Sequence, residues 1–186
     1  MAAPVIITPP AEEPLTLDEA KAQCRVDHQD DDDLITGFIA SARISFERRT
    51  NRSLITRTLR LDLDRFPHHR GQLRLPMGPV RAVTGITYHD TNGSVVTLDP
   101  ATYTVDITSD VATITPVVTA CWPWTYVRPA ALSVTYTAGF GGAEDVPADI
   151  KSALKLMISD LYDNGGRESA MAVANIIDDN HIAHLA

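Results

Sequence analysis

The spacing of apolar residues changes twice along this chain, and the two changes strongly constrain its fold. Between Leu34 and Phe46 apolar residues recur every three or four positions, which is typical of one face of a helix. From Leu54 the period falls to two, and residues 59–64 alternate apolar and charged side chains as a half-buried strand does. Near residue 146 the helical period returns. A β-rich segment is therefore predicted to interrupt a helical chain.

Three helices are predicted from their start and stop signals. Thr16 and Glu19 form a capping box, which predicts a short helix at about 17–25. Four aspartates at 30–33 suit the first turn of a helix at about 31–51, where the helix dipole favours negative charge. Pro147 suits the first turn of a third helix, which ends before Gly165. The weakly patterned segment after it is a candidate fourth helix that orders only against a partner.

Seven short segments between the second and third helices have the composition of strands. Asn92-Gly93 lies between two of them and predicts a hairpin. Prolines interrupt the stretch 116–129 around Trp122 and Trp124, so a long loop is expected there. The predicted strands are 59–64, 72–75, 80–89, 94–98, 103–106, 111–115 and 131–137.

These elements predict an α+β fold, with a mainly helical core of three to four helices and an inserted small antiparallel β-rich lobe. A length of 186 residues predicts a single domain. Its expected parts are an extended arm at 1–14, helices at 15–53, a β-rich insertion at 54–137, a helix at 146–163 and a C-terminal tail at 164–186.

Charge argues against general binding to nucleic acids or anionic membranes. The net charge is −8, and phosphate backbones repel such a chain unless its cations cluster. Residues 1–33 carry a net −7, residues 34–137 a net +4 and residues 138–186 a net −5. Acidic ends around an arginine-bearing middle suit contacts between copies, although solubility alone also explains them.

With no apolar run of spanning length, no signal peptide and two isolated cysteines, we expect synthesis in the cytoplasm and no membrane contact.

Motifs for catalysis and ligand binding are missing or incomplete. The aspartate run lacks the glycine and closing glutamate of a calcium loop, and the turn 139–142 lacks the lysine of a phosphate loop. No Gly-x-Ser-x-Gly sequence marks a nucleophile. The histidine pairs lack companion ligands at metal spacing; they are His68 with His69 and His181 with His184. We therefore predict no enzyme activity, no cofactor and no metal.

The most unusual local feature is the Trp122-Pro123-Trp124 sequence. Two tryptophans around a proline offer rigid amphipathic area of the kind interfaces favour, but they equally suit a cover over the sheet. Both interpretations stay open from the residues alone. The residues predicted to form protein interfaces are Trp122, Trp124, Tyr126, Arg43, Arg48, Arg49, Arg167, Ile176 and Ile177.

Several phrases, taken in order, resemble one family. They span about residues 15–163, and each alone also suits an ordinary cap, turn or stripe. They are 15–21, 25–28 followed by acids and Leu34-Ile35, 42–47 into 50–52, 75–76 with 78–80, 86–90 with Gly93, 103–106, 134–141, 146–151 and 161–162. Their joint order is similar to that of the head–tail connector proteins of tailed phages, also called adaptor or head-completion proteins, and of related adaptors in gene transfer agents. The Trp122 loop and the C-terminal tail depart from the family pattern.

The resemblance implies a non-enzymatic structural protein in the head–tail neck of a virion. Such adaptors form a ring, typically twelvefold, below the portal; the ring extends the DNA channel and carries the stopper or tail. DNA would pass without specific binding. We expect helices 31–51 and 147–162 to form the core and the contacts between copies, the β segment 54–137 to face outward or toward the tail, and residues 164–186 to dock on the portal.

A different class of function also fits the residues. A soluble β-rich module can grip a carbohydrate or a peptide with Trp122, Trp124 and Tyr126. A hydrolase would require a spatial triad, for which the sequence has no motif.

Overall fold

The computed structural model describes residues 3–68, 70–164 and 171–182. They form two compact units. Of the described residues, the β unit holds 3–9 and Arg57–Gly139, and the helical unit holds Pro10–Thr56, 140–164 and 171–182. Helices and antiparallel sheets together confirm the α+β class. Two compact units can belong to one domain, so the single domain and the borders predicted for its parts stay predictions.

The helical unit contains all three predicted helices, with ends within two residues of the prediction. Residues 171–182 correct the expectation that the tail orders only against a partner, because they include a fourth helix with Val173 and Ile177 buried in the core of their own unit. The helices are α1 (Leu17–Cys24), α2 (Asp32–Thr50), α3 (Ala148–Asn164) and α4 (Met171–Asn180).

The capping box at the start of α1 forms as predicted. Thr16 Oγ1 accepts from the Glu19 amide at 3.2 Å, and the Glu19 carboxylate accepts from the Thr16 amide at 3.0 Å. This backbone hydrogen bond holds the pKa of Glu19 below its ordinary value; burial opposes the shift and Lys155 adds to it. The N-terminus of α1 is therefore stabilised by short-range contacts that the sequence encodes.

The periodic apolar stripes of the helices meet in one core. Ile35 and Phe46 of α2 and Ile150 and Leu154 of α3 are fully buried there. A backbone hydrogen bond also joins the chain after α4 to the end of α2: the amide of Ile182 donates to the carbonyl of Thr50 at 2.8 Å. The helical unit thus depends on segments from both ends of the sequence.

The β unit contains two antiparallel sheets, and every one of the seven predicted strands is present. The eighth strand was missed: within the segment predicted as an extended arm, Val5–Thr8 pairs with the first predicted strand. The strands are β1 (Val5–Thr8), β2 (Arg57–Leu63), β3 (Leu73–Leu75), β4 (Val80–His89), β5 (Val95–Thr97), β6 (Tyr103–Asp106), β7 (Ala112–Pro116) and β8 (Leu132–Ala138). The sheet orders are β1-β2-β8-β4-β5 and β3-β7-β6.

Strand β8 lies at the centre of the larger sheet. Every second side chain along it is buried, as the period of two requires. Val134 is paired with Leu61 on one side and with Ile86 on the other. The hydroxyl of Tyr136 donates to the carbonyl of Pro76 at 2.8 Å, and burial raises the pKa of this phenol.

The predicted Asn-Gly hairpin connects β4 and β5. Gly93 has a φ of 84°, a left-handed conformation that glycine adopts without strain. The Asp90 carboxylate accepts from the amides of Asn92 and Ser94, both at 2.9 Å. The aspartate before the dipeptide thus shapes the turn together with the glycine.

The search for membrane-spanning segments was negative: over residues 3–68, 70–164 and 171–182, no helix is long and apolar enough to cross a bilayer.

Leucines two positions apart on α3 provide a matched test of the helical core. Leu154 is fully buried and Leu156 is 38% exposed. We expect Leu154→Ala to lower the free energy of unfolding by about 2–5 kcal/mol, because it leaves a cavity. Leu156→Ala should cost less than about 1 kcal/mol. Urea denaturation followed by far-ultraviolet circular dichroism measures both; equal losses would contradict the packing described here.

Candidate protein interface

Trp122 covers the core of the β unit. Its ring stacks on Phe66 with centroids 4.9 Å apart and an angle of 12°, and Phe66 meets Tyr88 edge-on at 5.5 Å. The indole Nε1 donates to the carbonyl of Gly71 at 2.7 Å. Only 8% of Trp122 is exposed. Of the two interpretations left open for this residue, the structure supports the cover over the sheet; a contact of Trp122 with a partner stays a prediction.

Trp124, two residues later, points into solvent. It is 83% exposed, and Tyr126, Val127 and Val118 of the same loop are also exposed. Exposed apolar groups that lie together are typical of interaction sites. The loop therefore uses one tryptophan to anchor itself and presents the other.

A cavity of about 750 Å³ lies beside Trp124, lined by residues 64–68 and 121–129. Arg65 and Arg128 are exposed at its wall. Asp64 also lines it, but its carboxylate accepts from the amide of Ala130 at 3.0 Å, where the backbone is left-handed with a φ of 52°. The cavity thus combines aromatic and proline walls with arginines, and its one acid is engaged in holding the loop.

The loop that carries Trp124 is joined to β4 by backbone hydrogen bonds. The amide of Tyr126 donates to the carbonyl of His89 at 3.0 Å, and the amide of His89 donates to the carbonyl of Ala131 at 2.8 Å. Earlier in the loop, the carbonyl of Val118 accepts a hydrogen bond from the Arg70 side chain. These bonds fix the loop although it has no regular secondary structure, so Trp124 is presented on a defined surface.

Arg43 of α2 is engaged within the helical unit. Its guanidinium donates to the Glu13 carboxylate at 2.6 and 3.0 Å and to Glu47 at 3.2 Å. Burial opposes the charge of the guanidinium, but the two carboxylates outweigh it and raise the pKa of Arg43. Glu47 also accepts from the amide of Leu54 at 3.0 Å. This hydrogen-bond network connects the segment before α1, helix α2 and Leu54, which follows α2 in the chain.

The remaining predicted interface residues differ in accessibility. Arg48 and Arg49 are exposed near the end of α2. Ile177 is buried in the core and Ile176 packs partly against it, so both side chains contact their own unit. Arg167 lies outside the described residues. The structure brings the three aromatic residues into one loop and puts Arg43, Arg48 and Arg49 on α2 and Ile176 and Ile177 on α4; the interface role of all nine predicted residues stays a prediction.

Sequence reasoning missed Phe66 and Asp64. Phe66 is the stacking partner of Trp122 and Asp64 fixes the end of the loop, but both lie far from it in sequence. The sequence offered one signal for Phe66, an aromatic residue close after the alternating strand 59–64. Such a signal does not tell which ring the aromatic residue will contact.

The glycine-rich turn at 139–142 has its amides occupied by the chain itself. The amide of Gly142 donates to Asp145 at 3.0 Å, and the amide of Ala143 donates to Glu12 at 2.8 Å. At Gly141 the φ is 151° and an added Cβ would meet the Asp145 carboxylate. Carboxylates at these amides repel a phosphate, which agrees with the prediction that this turn is no phosphate loop.

Over residues 3–68, 70–164 and 171–182, no group of three or more His, Cys, Asp or Glu side chains is placed to hold a metal ion. Burial, with Asp163 adding, raises the pKa of Cys24, so this thiol is a weaker nucleophile than an ordinary cysteine. His69 and His184 lie outside the described residues.

The two tryptophans are expected to respond oppositely to substitution. Trp122→Ala should lower the free energy of unfolding by about 3–5 kcal/mol, because it removes a buried ring and leaves a cavity. Trp124→Ala should change it by less than about 0.5 kcal/mol. Acrylamide quenching of Trp122→Phe and Trp124→Phe checks the geometry independently: the protein retaining Trp124 should be quenched more strongly. Equal quenching would contradict the different exposure of the two rings.

Solved structures share this fold over the whole chain. A chain from the neck of an empty gene transfer agent particle, computed with sixfold symmetry, is 20% identical with a TM-score of 0.81, covering 99% of this chain and 97% of that chain. A chain from the virion of a native gene transfer agent particle is 20% identical with a TM-score of 0.82, and the match covers 98% of this chain and 97% of that chain. A chain from the neck of a native particle, computed with twelvefold symmetry, is 21% identical with a TM-score of 0.71, and the match covers 97% of this chain and 98% of that chain.

The sequence also matches a protein family directly. No curated protein matches the chain. The family model for phage gp6-like head-tail connector proteins matches residues 14–109, which include α1, α2 and most of the strands. This match covers more than half of the sequence and agrees with the resemblance seen in the ordered phrases. The chain therefore belongs to the phage gp6-like head-tail connector protein family.

Proposed function

We propose that this chain is a structural protein of the head–tail neck, an adaptor that forms a ring under the portal of a phage or gene transfer agent particle. The ring extends the DNA channel and provides the platform on which the stopper or tail docks. The family match over residues 14–109 carries this proposal. The similarity in fold to chains of gene transfer agent necks, over nearly the full length, supports it.

A ring requires two different complementary faces on every copy, because each copy contacts its neighbours head to tail. The helical unit has 18 acidic and 9 basic residues, a net −9, and the β unit has 6 acidic and 7 basic residues, a net +1. This asymmetry supplies electrostatically different surfaces. A twelvefold ring is favoured because one similar chain comes from a neck computed with twelvefold symmetry.

Passage of DNA without binding agrees with the charge of the helical unit. Several of its cations are engaged by carboxylates: Lys21 lies 2.6 Å from Asp32, and Lys155 lies 3.1 Å from Glu19. Phosphates that meet such a surface release few counterions, so DNA gains little affinity there. We propose that the acidic helical unit lines the channel.

The β unit is proposed to face outward or toward the tail. The C-terminal segment is proposed to meet the portal through the exposed side of α4, which carries Asp178 and Asp179. The buried side of α4 is unavailable, because Val173 and Ile177 belong to the core.

Deleting residues 165–186 is therefore an unsuitable test of portal binding. A tail that ordered only on the portal would allow this deletion in a folded monomer, but α4 is part of the core. The deletion would remove Val173 and Ile177 from the core and the bond from Arg52 Nε to the carbonyl of Asn180, 2.5 Å long. Loss of portal binding would then report unfolding.

The proposed ring is tested by mixing the purified chain with the portal protein from the same genome. Size-exclusion chromatography with light scattering should show the portal gaining about twelve copies, or about 240 kDa at 20.2 kDa per chain. A portal mass that stays unchanged at saturating concentrations of the chain would overturn the adaptor function.

A charge reversal on the exposed side of α4 tests the portal contact without disturbing the core. Asp179→Arg should weaken portal binding at least tenfold, while stability holds because cations suit a helix C-terminus. Asp163→Arg, an equal reversal of an exposed acid in the last turn of α3, is the control and should bind like the wild type. If both variants bind the portal equally well, α4 is not the portal contact.

The β-rich binding module remains the alternative, and the cavity beside the exposed Trp124 favours it. A carbohydrate or peptide ligand that is lost in the double variant Trp124→Ala/Tyr126→Ala, in a chain that stays monomeric with the portal, would support this alternative over the adaptor.

A further inference from the structure

We propose that the cavity beside Trp124 binds a second copy of this chain, through the acidic connection between α1 and α2. We call the cavity with Trp124, Tyr126, Arg65 and Arg128 the aromatic surface, and residues 27–34 the acidic knob. The proposal rests on the ring proposed above and names the surfaces by which neighbouring copies meet.

The aromatic surface has the chemistry to receive an aliphatic side chain flanked by carboxylates. Its walls are aromatic and proline rings, and about 750 Å³ is space for a side chain and its flanks. Arg65 and Arg128 are exposed at its edge, while Asp64 already accepts from the amide of Ala130. An incoming carboxylate therefore meets two guanidinium groups.

The acidic knob presents that combination. Leu34 in the first turn of α2 is 49% exposed, so its side chain is accessible for an apolar contact. Asp31 and Asp32 are engaged, since Asp31 accepts from the Tyr162 hydroxyl at 2.7 Å and Asp32 from Lys21 at 2.6 Å.

Three further carboxylates of the knob are exposed and precede Leu34 in the same short segment. They are Asp27, Asp30 and Asp33. The side chain of Asp30 is 94% exposed. A segment that combines an exposed leucine with exposed acids matches a cavity with aromatic walls and an arginine edge.

Charge complementarity argues for a second copy as the occupant. The knob carries five aspartates and no lysine or arginine, and the arginines of the aromatic surface belong to the unit with a net +1. Opposite charges at an interface set the register and speed association. The contact is heterologous: a bound copy leaves its own aromatic surface free for the next, and such a contact closes into a ring when the rotation allows.

A natural cysteine makes the contact testable by disulfide trapping. Cys121 is exposed and lines the cavity. The variant Cys24→Ser/Leu34→Cys places a thiol at the apolar position of the knob and removes the other natural cysteine, Cys24. Mild oxidation of the full-length variant should give covalent dimers, trimers and longer chains on a non-reducing gel, because each copy carries both thiols. Mass spectrometry should identify the bond between positions 34 and 121.

The matched control carries the new thiol elsewhere on α2. Ile44 is 47% exposed, nearly equal to Leu34, but follows Arg43 and lies outside the knob. Cys24→Ser/Ile44→Cys should cross-link at least tenfold more slowly. Adding Cys121→Ser to the Leu34→Cys variant should abolish the series of covalent oligomers.

Charge exchange provides a second, independent measurement. Arg65→Glu or Asp30→Arg, each added to the Leu34→Cys variant, should slow cross-linking at least threefold at low salt, and the two together should restore most of the rate. Arg65 is chosen because Arg128 also contacts the His89 ring at 3.3 Å. Higher salt should slow the cross-linking of the Cys24→Ser/Leu34→Cys variant, because salt screens exposed charges. The cross-linking rate of the Ile44→Cys control should stay unchanged.

Equal cross-linking rates at positions 34 and 44, a bond formed within one chain, or bonds only between two copies of position 34 would each overturn the proposed contact. Its failure is distinguishable from failure of the adaptor function. If the portal gains about twelve copies but no 34–121 bond forms, the ring exists and uses other surfaces. If the bond forms and the portal gains nothing, the copies associate but the chain is not a portal adaptor.

Discussion

The pairing of β8 with both β2 and β4 is the constraint on which the β unit depends. β2 and β4 come much earlier in the chain and do not pair with each other, so the larger sheet is complete only when β8 has paired with both. The loop that precedes β8 connects β7 of the smaller sheet with the central strand of the larger one. Its anchor is the stack of Trp122 on Phe66, and Trp124 is exposed as a consequence.

The helical unit is stabilised by contacts distant in sequence, through polar groups as well as a core. Arg43 connects α2 with Glu13, and Arg52 connects the end of α2 with α4. A buried guanidinium is tolerated only where carboxylates compensate its lost hydration. The same carboxylates leave the unit with fewer cations available to phosphate, as the proposed passage of DNA without binding requires.

Much of the fold could be predicted, because helices and strands depend on short-range patterns. The capping box of α1, the stripe of α2 and the alternation of β2 each lie within a few residues, and all three elements formed where expected. Strand β1 was missed because its proline-flanked segment has no apolar alternation; only its pairing with β2 makes it a strand. Helix α4 was left open because its burial depends on α2 and α3, which are distant in sequence.

The amino-acid sequence by itself determined the α+β class, the order of the elements, the acidic balance and the resemblance to head–tail connectors, because each follows from local spacing, composition or ordered phrases. Only the tertiary structure decided which tryptophan is buried. Trp122 and Trp124 flank the same proline, yet Phe66 and the Gly71 carbonyl are within reach of the first ring alone. Burial depends on partners brought together by folding, and no local pattern contains them.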